Sequence, residues 1–149
     1  MAGKSIVAYT TTIDPMKTAT DCIALLASKG ATDIGMSSDG EGTPTGLLFV
    51  IATKWGRRQF TVPVDLPRTE KTLKEAARKG RIAPRFATPE QARRVAWRVV
   101  LHWLEAQLSL VEIGAQDLED AMIAYVNVNP GQTLAQYYGE QQLALEAPS

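Results

Sequence analysis

Leu47-Leu48-Phe49-Val50-Ile51-Ala52-Thr53, then Lys54-Trp55-Gly56-Arg57, then Arg58-Gln59-Phe60-Thr61-Val62-Pro63-Val64: this stretch decides the fold class. Its first part is a continuous apolar run, short enough for a strand and rich in β-branched residues, and it reads as a buried strand. The four residues after it form a tight connection. The return alternates cleanly, with Phe60, Val62 and Val64 on one side and Gln59, Thr61 and Pro63 on the other, the period-two pattern of a strand with one buried face. Two strands joined by so short a link pair antiparallel. Pro63 cannot donate to a ladder, which places the second strand at an edge or ends it there.

Upstream, Ser37 to Gly46 is rich in Ser, Gly, Asp and Pro and reads as a loop, with a short strand expected over Thr32 to Met36. Asp14-Pro15 opens a helix, Asp being a good N-cap and Pro suiting the first turn. Ala19, Cys22, Ile23, Leu26 and Ala27 give that helix an apolar face, and Gly30 stops it. Ile6 to Ile13, with its β-branched residues and threonines, reads as a first strand. Downstream, Thr69 is expected to cap a helix running to Lys79, stopped by Gly80, and a basic loop follows from Arg81 to Ala87. Thr88-Pro89-Glu90-Gln91 has the form of a capping box. It opens a helix that can run to about Tyr125, bent or broken near Gly114. Gln91, Arg94, Arg98, His102, Glu105, Ser109, Glu112 and Gln116 form its one polar stripe. A helix so widely apolar must be covered by its own sheet or by another subunit, which makes a homo-oligomer through this helix an expectation. Asn129-Pro130-Gly131 marks a turn, and a last helix over Thr133 to Leu145 leads into a tail expected to fray from about residue 143.

The expected fold is therefore α+β, a single domain over residues 1–149. Its order is β-α-β-β-β-α-α, a small antiparallel sheet with a long C-terminal helix on one face. The size permits a sizeable core, and 45% hydrophobic with 21% charged residues is an ordinary globular balance. One cysteine, Cys22, cannot build a disulfide framework, and it reads as a buried structural thiol. No apolar run approaches the ~18 residues of a membrane span, and Met1-Ala2-Gly3-Lys4-Ser5 does not open a signal peptide. No membrane partner is expected, and the expected location is the cytoplasm.

Net charge is zero, yet the charges are segregated. Residues 54–98 hold 13 Lys/Arg and 4 Asp/Glu, net +9, whereas residues 99–149 hold 7 Asp/Glu and no Lys or Arg, net −7. The two segments either neutralise each other in the fold or present separate surfaces. Phosphate neutralisation needs several cations on one surface. The candidates are Lys54, Arg57 and Arg58 at the hairpin, Arg78, Lys79, Arg81 and Arg85 around the loop, and Arg93 and Arg94 at the start of the long helix. Trp55 and Phe86, interleaved with these cations, offer faces on which single-stranded bases could stack. The competing reading folds Trp55 back on the sheet and uses Phe86 to plug the core. From Pro15 to Lys79 the element order α-β-β-β-α is that of a double-stranded RNA-binding domain, and Lys71, Lys74, Arg78 and Lys79 lie near where that fold carries basic residues. No RRM, KH or zinc-finger signature is present.

Catalysis finds little support. One His and one Cys give no His/Cys zinc site within one chain. His102 could act as a base oriented by Glu105, with Asp117, Glu119 and Asp120 as paired carboxylates, but a solvated helix face accounts for them more simply. Ser38-Asp39-Gly40-Glu41-Gly42 lacks both the calcium-loop spacing and the Lys-Ser/Thr of a P-loop. No cofactor and no metal is expected.

The run Gln91-Ala92-Arg93-Arg94-Val95-Ala96-Trp97-Arg98, followed by Trp103-Leu104-Glu105-Ala106-Gln107-Leu108, resembles a family of uncharacterised small proteins of tailed bacteriophages and prophages. Ile13-Asp14-Pro15, Lys17-Thr18, Gly30-Ala31-Thr32 and Gly131-Gln132-Thr133-Leu134 are similar to it as well. The resemblance implies a phage origin and a host-cytoplasmic setting, and brings no catalytic residues. With the basic segment, it leads to the expectation of a phage accessory protein of DNA metabolism that binds nucleic acid, single-stranded and without sequence specificity. The alternative is a non-catalytic interaction or assembly module, such as a host-factor or defence inhibitor.

Overall fold

The structure, a computed structural model, describes residues 6–146. The Met1 to Ser5 segment and the last three residues of the expected frayed tail lie outside the described residues. The fold is α+β. Helix α1 (Pro15–Ser28) leads into strands β1 (Thr32–Ser38), β2 (Pro44–Thr53) and β3 (Gly56–Pro63), followed by α2 (Leu66–Arg78), the long α3 (Pro89–Glu112) and the short α4 (Leu118–Ala121). A small hairpin of β4 (Asn127–Asn129) and β5 (Gln132–Thr133) precedes α5 (Leu134–Glu146).

The sheet is antiparallel in the order β1-β2-β3. The apolar run thus becomes the central strand, and the strand that ends at Pro63 lies at an edge. Phe49 and Phe60 are register partners, with rings stacked 5.6 Å apart. Together with Leu47, Ile51, Val62 and Val64 they form the inner face of the sheet. Gly46 permits the tight approach of β3, because a Cβ there would lie 3.1 Å from the Val62 carbonyl oxygen. Helix α3 covers this face with Trp97, Leu101, Leu104 and Leu108, and α1 adds Ala19, Cys22 and Leu26. The indole Nε1 of Trp97, fully buried, donates to the Pro44 carbonyl at 2.8 Å. A second, smaller core lies on the other flank of α3, where Leu73 of α2 meets Ile82, Ala92 and Val95. The apolar sides of α3 are thus largely covered by α1, α2 and the sheet of the same chain, while Val99 and Leu110 stay exposed.

Three local expectations are corrected. Residues 6–13 form no strand; they make turns, with Ala8 at φ 60° and the Thr11 amide donating to the Ala8 carbonyl at 2.9 Å. The sheet order gives them no ladder partner. A side chain holds them instead: Gln91 Nε2 donates to the carbonyls of Tyr9 and Thr11, each at 2.8 Å. This also halves the capping box. Thr88 Oγ1 accepts from the Gln91 amide at 3.1 Å, but the Gln91 side chain turns to the N-terminal segment rather than back to Thr88. Helix α2 starts one turn earlier than expected, because Asp65 caps it by accepting from the Arg68 amide at 3.0 Å. Thr69 donates its hydroxyl to the Asp65 carbonyl instead.

Helix α3 stops at Glu112. Gly114, at φ 79°, donates to the Val111 carbonyl while Ala115 donates to Leu110, a glycine-based termination. Two later elements also differ. The turn around Pro130 is flanked by the β4–β5 ladder, and α5 spans Leu134–Glu146, one residue beyond the expected Leu145. Among the described residues, no helix is long and apolar enough to cross a membrane.

Candidate nucleic-acid interface

The cations of the basic segment fall into three separate places. The first is the hairpin tip. Lys54 and Trp55 form its two-residue link, fastened by Thr53, whose hydroxyl donates to the Gly56 carbonyl at 2.7 Å and accepts from the Trp55 amide at 3.0 Å. Trp55 is 67% exposed, with Lys54 Nζ 5.5 Å from its ring centre. The tip does not face a basic neighbourhood, however. Arg57 pairs with Asp33, and Lys54 and Trp55 border a cleft whose opposite wall carries Asp117, Glu119 and Asp120. Phosphates approaching this end would meet carboxylates.

The second place is the start of α3. Arg93 and Arg94 are half-buried, and Arg94 Nη1 donates to Gln91 Oε1 at 3.1 Å. Both border a cavity shared with Asp14, Glu41 and Glu90. Nearby, Asp39 accepts from the amides of Glu41 (2.8 Å) and Thr43 (2.9 Å). The Thr43 and Glu41 amides hold its carboxyl below the usual range, with a smaller contribution from Arg93. Carboxylates therefore face these arginines.

The third place is α2 and the loop after it. Leu73 turns to the core with Ala76 and Ala77, which leaves Lys71, Lys74 and Arg78 exposed at spacings of three and four, beside Arg68 and Lys79. Arg81 and Arg85 follow, both exposed. Residues 65–85 hold seven Lys/Arg and three Asp/Glu, and the three acids are engaged locally. Asp65 pairs with Arg68 at 3.6 Å, Glu70 with Lys74 at 2.8 Å, and Glu75 with Arg78 and Lys79. Hydrogen bonding to Arg78 holds the Glu75 carboxyl below its ordinary value. Among the described residues, no ion pair links the basic segment 54–98 to the acidic segment 99–149. The one pair that reaches the latter comes from Lys29 to Glu112.

The hairpin tip and α2 are far apart. Strand β3 alone spans roughly 25 Å between them at ~3.3 Å per residue. Phe86 is not a free stacking face either. It is half-buried in the second core, edge-on to Tyr9 at 5.4 Å, with the Arg85 guanidinium 4.6 Å from its ring centre.

Arg68, Lys71, Lys79 and Arg81 also line a cavity of about 580 Å³, together with Thr72, Glu75 and the half-buried Ile6 and Ala76. Arg68 and the last four of these escaped the sequence reading. The spacing of Arg68, Thr72, Glu75, Ala76 and Lys79 along one helical face was the available signal for all but Ile6.

His102 lies exposed on α3, whereas Asp117, Glu119 and Asp120 follow its end. Among the described residues, no three His, Cys, Asp or Glu side chains converge where they could hold a metal ion. No protein-family model, no curated protein and no solved structure matches this chain.

Proposed function

We propose that this protein binds nucleic acid without sequence specificity, through backbone phosphates, and that α2 with Arg81 and Arg85 is the binding face. The observation that carries the reading is the surplus of four positive charges over residues 65–85, which, among the described residues, no carboxylate of the acidic C-terminal third engages in an ion pair. Lys71, Lys74 and Arg78 span about 10 Å of helix at ~1.5 Å per residue, enough to follow successive phosphates. On the resemblance of the Gln91–Arg98 run to small tailed-phage proteins, we further propose an accessory role in phage DNA metabolism.

Fluorescence anisotropy with labelled oligonucleotides at about 50 and about 200 mM salt tests this. Release of about four counterions predicts a loss of about 100-fold in affinity across that range. Lys71→Glu, Lys74→Glu and Arg78→Glu together should abolish binding. These side chains are exposed, and their pairs are of a kind that contributes little to stability, so the variant should fold. Reversal of Lys54, Arg57 and Arg58 should leave binding nearly unchanged. Absence of binding at low salt, or loss only on reversal at the hairpin tip, refutes the proposal.

A second reading, an interaction or assembly module, is supported by α5. None of its residues is buried, and Tyr138, Leu143 and Leu145 are 63%, 69% and 79% exposed. On that reading, light scattering shows a complex or oligomer that Tyr138→Ser with Leu145→Ser disrupts and that the α2 reversals spare.

A further inference from the structure

A surface that only tracks phosphates needs no depression, yet α2 borders one. The cavity of about 580 Å³ between α2 and the turn at Ile6 falls within the ~300–1,000 Å³ usual for small-ligand sites. Its floor is aliphatic, from Ile6 and Ala76. Its rim carries Arg68, Lys71, Lys79 and Arg81, and its one carboxylate among the described residues, Glu75, is already engaged by Arg78 and Lys79. The Thr72 hydroxyl donates to the Arg68 carbonyl at 2.8 Å, so that its proton is not free to read a ligand. An apolar floor under a cationic rim suits a ligand with one flat apolar part and one anionic part. A nucleotide has this form, and its base can enter only when unpaired.

We infer that this cavity seats an unpaired nucleotide, with its base against Ile6 and Ala76 and its phosphate among Arg68, Lys71, Lys79 and Arg81. The inference rests on the backbone-binding reading of α2 and adds a substrate class to it: a single strand or strand end, or a free nucleotide of the same chemistry. With no neutral donor committed to the base, the site discriminates weakly among the four bases.

Anisotropy with a labelled single-stranded oligonucleotide and with a blunt duplex of equal length, on the full chain, tests it. Ala76→Phe fills the cavity from its floor without changing charge. Thr72→Tyr fills it from an exposed position on α2 and guards against a packing defect at Ala76. Both should weaken single-strand binding about tenfold and leave duplex binding within about twofold. Adding adenosine monophosphate separates the sources. Displacement of the oligonucleotide by the monophosphate and not by inorganic phosphate identifies a free nucleotide as sufficient. Displacement by neither, with the single-strand loss intact, identifies a strand. Displacement by inorganic phosphate as effective as by the nucleotide overturns the base seat. An equal loss on both oligonucleotides, or no loss from either substitution, also overturns it and leaves the backbone reading standing. Failure of the wild type to bind any oligonucleotide overturns both.

Discussion

Replacing Gln91 with Leu isolates the contribution of one side-chain amide to the attachment of the N-terminal segment. Gln91 is 7% exposed and donates 2.8 Å hydrogen bonds to the Tyr9 and Thr11 carbonyls, eighty and more residues away, and both acceptors are half-buried. Leu keeps the bulk, and the backbone amide that Thr88 caps is unchanged. What is lost is two hydrogen bonds to this segment, each of net worth about 1 kcal/mol, together with the half-buried Arg94 bond to Oε1, and two carbonyls are left with poor access to water. The expected destabilisation is about 2–3 kcal/mol. With a urea dependence of about 2 kcal/mol per molar, the midpoint falls by about 1–1.5 M at unchanged slope. Hydrogen exchange gives the local readout: the Thr11 amide, bonded to Ala8 at 2.9 Å, should lose protection while amides of β2 and β3 keep theirs relative to the new global stability. A midpoint shift below about 0.25 M, with Thr11 protection unchanged, would refute the claim that Gln91 fastens this segment.

Trp97→Phe removes the indole donor to Pro44 and part of a fully buried ring, and should cost about 2–3 kcal/mol in urea unfolding. Cys22 is fully buried, and burial first, then the Asp21 charge, pushes its thiol up to about 12. At pH 8 it should therefore react with a disulfide reagent only as fast as the chain opens, and at once in denaturant. Asp39 titrates below the ordinary carboxylate range because two backbone amides stabilise its charged form. Its contribution to loop order is therefore complete above the unfolded-state value and is lost as pH falls through the lower folded-state one. The Glu41 and Thr43 amide resonances should follow that single low-pH titration, and Asp39→Asn should abolish it.

The sheet was legible because its signals are local and agree. The alternation at Phe60, Val62 and Val64 required one buried face, and Thr88-Pro89 required a helix start, whatever lay elsewhere in the chain. Ile6 to Ile13 misled for the opposite reason. β-Branched residues fit a strand, but a strand also needs an edge to pair with, and the sheet order is set by residues far along the chain. Two acceptable caps, Asp65 and Thr69, lay within one turn of α2, and the sequence did not rank them. At the candidate site, residue type was visible and partnership was not. The pairing of Arg57 with Asp33, the carboxylates opposite Trp55 and the seating of Phe86 beside Tyr9 all depend on tertiary proximity. The α-β-β-β-α order from Pro15 onward was correct, but α1 and α2 both pack against α3, which lies beyond that unit.

Helix α2 packs its apolar side against the N-terminal half of α3 and so carries its basic face at that end, whereas Glu112, Asp117, Glu119 and Asp120 gather at and beyond the C-terminus of α3. Some 25 Å of helix lie between them at ~1.5 Å per residue. Among the described residues no ion pair joins the two segments, and the surplus cations of α2 stand at the opposite end of α3 from these carboxylates, so the zero net charge conceals an electric dipole moment. In an electric field at neutral pH the molecule should scarcely migrate. Toward a charged matrix it should act as an ion of either sign, retained at low salt by both cation and anion exchangers and presenting opposite ends to each.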